Sequence, residues 1–138
     1  IETFYRDEVS LKSGVFDFLQ DMKKREVRMC VATATDFYLV DMAFRRNGIR
    51  SCFDRIFTCS QVGAGKDDPK IYEQALSHLG TDKRDTVIFE DAVYAIETAK
   101  RAGFVVTGVY DESADQERVQ NLSDYYIRSF AETGEMFL

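Results

Sequence analysis

Apolar positions along the chain alternate between helical spacing and short unbroken runs, the marks of amphipathic helix and buried strand in turn. Residues 14–25 place Val15, Phe16, Phe18, Leu19 and Met22 at helical spacing and end in Lys23-Lys24-Arg25, a basic run suited to a helix C-terminus. "VRMCVAT" (27–33) then reads as a buried strand. Residues 36–47 return to the helical period, with Leu39, Val40, Ala43 and Phe44 on one face and Asn47-Gly48 as the stop. "DRIFTC" (54–59) predicts a second strand and "VGAGKDD" a loop, with Pro69 opening a helix that runs to Leu79 and is stopped by Gly80. "TVIFE" (86–90) predicts a third strand. Residues 92–102 predict a helix with Ala92, Ala95, Ile96, Ala99 and Ala102 on one side and Gly103 as its stop. "FVVTGVY" (104–110) predicts a fourth strand and "DYYIR" (124–128) a short fifth.

The strand segments are too apolar to be half solvated, and they alternate with helices. That pattern predicts an α/β fold of three layers, a Rossmann-like parallel sheet with helices on both faces. The 138 residues suit one domain without repeats, low-complexity tracts or linkers. A chain of this size buries about two-thirds of its unfolded surface, enough for a core without metal or disulfide staples. The balance of 18 Lys+Arg against 24 Asp+Glu, net −6, argues against binding a nucleic-acid backbone. No apolar run approaches the roughly 18 residues of a membrane span, and "IETFYRDEVSLKSG" carries no signal-peptide pattern. Three cysteines, none in a CxxC pair, and a single histidine fit neither a disulfide framework nor a zinc site, so a reducing, cytoplasmic setting is expected.

In parallel sheets polar ligands bind at the carboxyl ends of the strands, so the residues there carry the chemical reading. The first strand ends in Thr33-Ala34-Thr35 with Asp36 opening a helix, which offers two hydroxyls and free N–H groups to an anion. The plainer alternative makes Thr35 or Asp36 an ordinary N-cap. After the second strand comes Lys66 within Gly63-Ala64-Gly65-Lys66. A P-loop is rejected, since Ser60 and Asp67 stand where its first Gly and its Ser/Thr belong, and Lys66 could equally be solvated surface. The third strand ends in Glu90-Asp91. Adjacent carboxylates at a buried strand end repel each other unless a cation or donors lie between them, and Mg2+ suits hard oxygen ligands. The alternative is an Asp N-cap beside a surface Glu. Asp111, after the fourth strand, reads as a turn residue. Together the strand ends supply anion donors and a cation site, which is what phosphoryl transfer requires.

"VATAT" ending at Thr35, "VGAGKDDPKIYEQAL" and "VIFEDAVYAIETAKRAGF" resemble, in order and spacing, three of the four motifs of the haloacid dehalogenase-like hydrolases, in their β-phosphoglucomutase-like and phosphatase branch. The similarity runs from about Leu11 through Asp111. The resemblance implies that Thr33, with the Ala34 backbone and help from Thr35, holds the transferring phosphoryl group. It implies that Lys66 neutralises phosphate and nucleophile, and that Glu90 and Asp91 serve Mg2+, with Asp91 as the direct ligand ahead of Glu90. Asp67 departs from the family's usual Pro after the Lys.

The first motif of that family, a strand ending in Asp-x-Asp that bears the nucleophile and the general acid/base, has no counterpart in the sequence. The resemblance places that strand between those at 27–33 and 86–90. The expectation is therefore a single, partial core domain over 1–138, with the Asp-x-Asp strand and a helical cap preceding residue 1 or supplied by another chain. The implied activity is a Mg2+-dependent phosphomonoester hydrolase acting through an aspartyl-phosphate on a small phosphorylated metabolite. The alternatives are a phosphosugar mutase on the same scaffold and an inactive phosphate- or partner-binding module. A response-regulator-like receiver ranks below these, because no strand supplies a convincing phosphoacceptor Asp. Substrate and oligomeric state stay open. His78 reads as surface or helix-end, Cys30 as core, and Tyr125 and Tyr126 as sheet-edge packing.

Overall fold

The computed structural model describes residues 12–135. The segment before Lys12 lies outside the described residues. The elements are α1 (Val15–Lys24), β1 (Cys30–Thr33), α2 (Phe37–Arg46), β2 (Arg55–Thr58), α3 (Cys59–Val62), α4 (Lys70–Leu79), β3 (Val87–Glu90), α5 (Val93–Arg101), β4 (Val105–Val109), α6 (Gln116–Leu122) and β5 (Tyr125–Ile127). Short 3-10 turns occupy Arg50–Cys52, Lys83–Asp85 and Phe130–Glu135. Among the described residues no helix is long and apolar enough to cross a membrane.

The expected order of helices and strands holds, and the boundary differences have local causes. β1 begins at Cys30 rather than 27 because the preceding residues close α1. Glu26 adopts the left-handed conformation, φ 61°. The Val27 N–H then donates back to the Met22 carbonyl at 3.0 Å. The same closure ends α2 and α5, where Gly48 and Gly103 take the left-handed position without steric cost. β2 stops at Thr58 because the Thr58 hydroxyl accepts the Gln61 N–H at 3.2 Å and opens α3, a single turn the pattern had assigned to strand and loop. α6 begins at Gln116, with the Asp115 side chain accepting the Arg118 N–H at 3.3 Å as its cap.

β1 and β2 pair in parallel with Thr33 beside Thr58, and β3, β4 and β5 pair in parallel with Glu90 beside Gly108. Among the described residues these are two separate ladders, and β1 does not pair with β3. Both ladders run the same way, because Lys66, which follows β2, bonds Glu90, the last residue of β3. Alternation along the strands sends side chains into two cores. Cys30, Ala32 and Ile88 pack into a cluster with Phe57, Ile71, Ile96, Phe104 and Val119. Met29 and Phe89 face the other cluster, with Phe18, Leu19, Met22 and Ile49. Helices α4, α5 and α6 thus cover one face and α1 the other, the three-layer arrangement the pattern predicts. All four residues of β1 and three of the four in β3 are only half-buried, whereas the last four of β4 are buried.

Glu26 is a side-chain-bearing residue in a conformation that costs about 1–2 kcal/mol without glycine. Glu26→Gly is therefore expected to stabilise the protein, by about 0.5–1 kcal/mol once the freedom glycine adds to the unfolded chain is offset. Urea denaturation of the two proteins reads the difference; an unchanged or lower midpoint would count against strain at this helix end.

Candidate active site

The turn after β1 is held by its own side chain: the Thr35 N–H donates to the Thr33 hydroxyl at 3.0 Å. Thr33 and Thr35 are half-buried there, and Ala34 is exposed. Asp36 stands at the N-cap position of α2, as the plainer alternative has it, but its carboxylate makes no capping bond.

Lys66 is not a surface lysine. Its side chain is 13% exposed, and its ammonium donates to Glu90 Oε2 at 2.6 Å. Tyr72, one turn into α4 and buried, donates its hydroxyl to the same oxygen, also at 2.6 Å. Burial, and after it the charge of Glu90, pushes the Tyr72 phenol far above its ordinary range. The phenol therefore stays protonated and acts only as a donor. Among the described residues the Glu90 carboxylate has no other hydrogen-bond partner, so both of its donors act on one oxygen. Two donors on a carboxylate that is 8% exposed are what makes its burial tolerable.

The neighbouring carboxylate lies in a different environment. Asp91 is 42% exposed, and its Oδ2 accepts from Lys12 Nζ at 3.4 Å. The N-cap of α5 is Ala92, so the alternative of Asp91 as an N-cap is not realised. Lys12 also donates to the Tyr110 carbonyl at 3.1 Å and to Asp111 Oδ2 at 3.2 Å. Asp111 does form a turn, as expected, since its Oδ1 accepts both the Ser113 hydroxyl at 2.5 Å and the Ser113 N–H at 2.9 Å. Those two bonds, followed by Lys12, hold the Asp111 carboxyl down at about 2.

For a divalent ion, Asp91 offers a hard carboxylate at the sheet edge with Oδ1 free of hydrogen bonds from described residues. Glu90 is committed to Lys66 and Tyr72 through Oε2. Among the described residues no three His, Cys, Asp or Glu side chains are arranged to hold a metal on their own. Asp91 thus fits as one ligand of a Mg2+ site whose other ligands come from elsewhere.

Sequence reasoning missed Lys12 and Tyr72. Tyr72 carried a signal, since a tyrosine at a core position of α4 needs a partner for its hydroxyl. Lys12 carried none, because nothing local marks a lysine whose partners lie at the ends of β3 and β4. His78 is exposed in the last turn of α4, with its ring edge toward Phe57 at 5.9 Å between ring centres, which agrees with a surface role. Tyr126 packs at the sheet edge and donates to Gln116 at 2.7 Å, while Tyr125 is exposed. Cys30 is half-buried against the first core cluster, as a core reading requires.

The depressed Asp111 carboxyl sets a pH dependence. A carboxylate ionised more readily in the folded than in the unfolded state stabilises the fold above its unfolded value, about 3.9. That contribution disappears as the pH falls through about 2. Carboxyl-carbon NMR is expected to place the Asp111 inflection near 2, and Ser113→Ala to move it upward toward the ordinary range. An unmoved inflection would show that Ser113 does not hold the carboxylate.

Comparison with known proteins gives the family and the fold. The family model described as haloacid dehalogenase-like hydrolase matches residues 1–109. Protein CbbY of Cereibacter sphaeroides is 31% identical over 133 residues, covering 92% of this chain but only 56% of that protein, so the chain spans little more than half of its relative. The crystal structure of CbbY from Rhodobacter sphaeroides in complex with xylulose-(1,5)bisphosphate superposes with a TM-score of 0.86 at 28% identity, covering 96% of this chain and 60% of that one. The β-phosphoglucomutase of Clostridium difficile, 18% identical, shares the fold at a TM-score of 0.79 over 98% of this chain and 59% of its own. With a family model matching most of its length, this chain belongs to the haloacid dehalogenase-like hydrolases.

Proposed function

We propose that the protein is a Mg2+-dependent phosphatase acting on a small phosphorylated metabolite. The observation that carries the reading is the Lys66–Glu90 bond, which draws a cation from the α3–α4 loop to the end of β3, next to Asp91. The phosphoryl oxygens would be held by the Thr33 hydroxyl, the Ala34 N–H and the Lys66 ammonium, with Thr35 assisting. Asp91 would be the direct Mg2+ ligand, and Glu90 would act by fixing Lys66. Mg2+ bound there would screen the negative phosphoryl group from a negative nucleophile.

The nucleophile is proposed to arrive on a further strand lying between β1 and β3, the two half-buried strands that do not pair with each other. That strand, with the cap, would precede residue 1 in the polypeptide or come from a second chain. Its first Asp would attack phosphorus as the ester P–O bond breaks, and its second would protonate the leaving oxygen. Water would then hydrolyse the acyl phosphate and return both carboxyl groups to their starting state. A phosphorylated sugar is the proposed substrate class, supported by the ligand of the CbbY complex. The three free cysteines suit the cytoplasmic setting proposed with it.

The intact mass of the natural protein and its turnover of p-nitrophenyl phosphate, with and without Mg2+, test this reading. The expected result is a mass above 15.9 kDa, or a second polypeptide, together with Mg2+-dependent turnover. A mass of 15.9 kDa with no turnover would leave a binding module. Turnover that requires priming by a sugar bisphosphate would instead mark a mutase.

Asp91→Asn is expected to lower turnover about 100- to 1000-fold with little loss of stability, since the side chain is half-exposed. Lys66→Met is expected to lower turnover similarly and also to cost about 3–5 kcal/mol of stability, because it leaves Glu90 buried with Tyr72 alone. Near-normal turnover in either variant would remove that residue from the site.

A further inference from the structure

Three oxygen atoms from two different strand ends converge on Lys12 Nζ: Asp91 Oδ2 at 3.4 Å, the Tyr110 carbonyl at 3.1 Å and Asp111 Oδ2 at 3.2 Å. Each of the three ammonium protons can thus face one acceptor. Two carboxylates and a carbonyl are also donors that a hard divalent cation accepts. The lysine therefore stands as a covalently tethered cation beside the carboxylate proposed to hold Mg2+. Both Lys12 and Asp91 are close to half-exposed, at 45% and 42%, so their contact can open and close without dismantling the core.

We propose that Lys12 is the resident counter-cation of Asp91: it occupies Oδ2 while the divalent ion is away, and its charge sets the affinity with which Asp91 takes that ion. The inference rests on the reading of Asp91 as a metal ligand. Lys12 touches none of the proposed phosphoryl-binding groups, so its part is one of positioning and charge. With Lys12 present, a divalent ion must bring Asp91 away from an ammonium and tolerate a unit positive charge a few ångströms off. Without it, Asp91 and Asp111 face one another uncompensated, which favours any cation that can enter.

The test is Mn2+ binding to the intact natural protein, read by loss of the free-ion signal in electron paramagnetic resonance. Lys12→Met is expected to tighten binding about tenfold or more, the scale set by removing a unit charge near a divalent ion at a partly exposed site. Lys12→Arg, which keeps the charge, is expected to bind as the wild type does, and Lys12→Gln, which removes it, to tighten binding as Lys12→Met does. Circular dichroism checks each variant for folding, and the uncharged Lys12→Gln serves if Lys12→Met does not fold. In an Asp91→Asn background the gain from Lys12→Met should vanish. If Lys12→Met binds no more tightly than wild type while Asp91→Asn abolishes binding in both, the role of Lys12 is overturned and Asp91 remains the ligand. The same gain in the Asp91→Asn background would also overturn the proposal, since the effect would then be general charge. Binding by the wild type that ignores Asp91→Asn would overturn the ligand reading and this inference with it.

Discussion

A carboxylate buried at the end of a β-strand is the constraint on which the site depends. Glu90 follows three apolar residues of β3 and is nearly closed to solvent. An ion in that position is costly unless it is paired and hydrogen-bonded, and a single partner would leave much of the cost in place. Lys66 and Tyr72 both donate to one of its oxygens. The Tyr72 ring lies in the core, tilted against Phe104 with centres 6.2 Å apart, so its hydroxyl has little freedom. The loop carrying Lys66 is thereby tied to the end of β3 while α4 locks the same carboxylate from below. A glycine-containing loop that could otherwise wander presents its lysine at one fixed place.

The same link addresses a second problem, the absence of a ladder between β1 and β3. Two short parallel ladders would separate if hydrogen bonding alone held a sheet together. Here they share apolar clusters on both faces, with β1, β2, β3 and β4 all contributing to the first. In the second, Phe89 of β3 meets Phe18 of α1 at 5.4 Å and Phe130 at 5.5 Å. Burial is non-directional, so it can hold strands at a spacing that no backbone bond defines. The edge is kept in register by the directional contact, Lys66 to Glu90, at the end where the chemistry is read.

The fold was largely legible because its information is local. Apolar periods named α1, α2, α4, α5 and the strands, and Gly48, Gly80 and Gly103 marked three helix ends, each with positive φ. Glu26 ends α1 in the same way, but nothing in a glutamate announces a left-handed residue, and β1 was accordingly drawn three residues too long. The candidate site was legible only as a set of strand-end positions. Thr33, Lys66, Glu90 and Asp91 could be named because parallel sheets place ligands there. The partners chosen by each could not, because Lys12 lies 79 residues from Asp91 along the chain, and Tyr72 lies 18 from Glu90 on a different element. Pairing across such distances is set by packing, which composition and period do not carry.

Glu90 and Asp91 show how two adjacent acids acquire different tasks. Successive residues at a strand end turn to different sides, so one carboxylate enters the core and its neighbour meets solvent. The attraction of a unit charge pair at 4 Å is about 1 kcal/mol in water and about 4 kcal/mol at the effective dielectric of a protein surface, and it grows as water is excluded. The Lys66–Glu90 pair, at 2.6 Å with both side chains largely buried, lies toward the strong end of that range. The Lys12–Asp91 pair, at 3.4 Å with both side chains nearly half-exposed, lies toward the weak end. Environment, rather than residue type, therefore divides a fixed cation from an exchangeable one. A buried pair holds its cation in one place, and an open pair leaves a carboxylate freer to change partners, which is the combination the proposed metal-assisted phosphoryl site would use on either side of the reacting group.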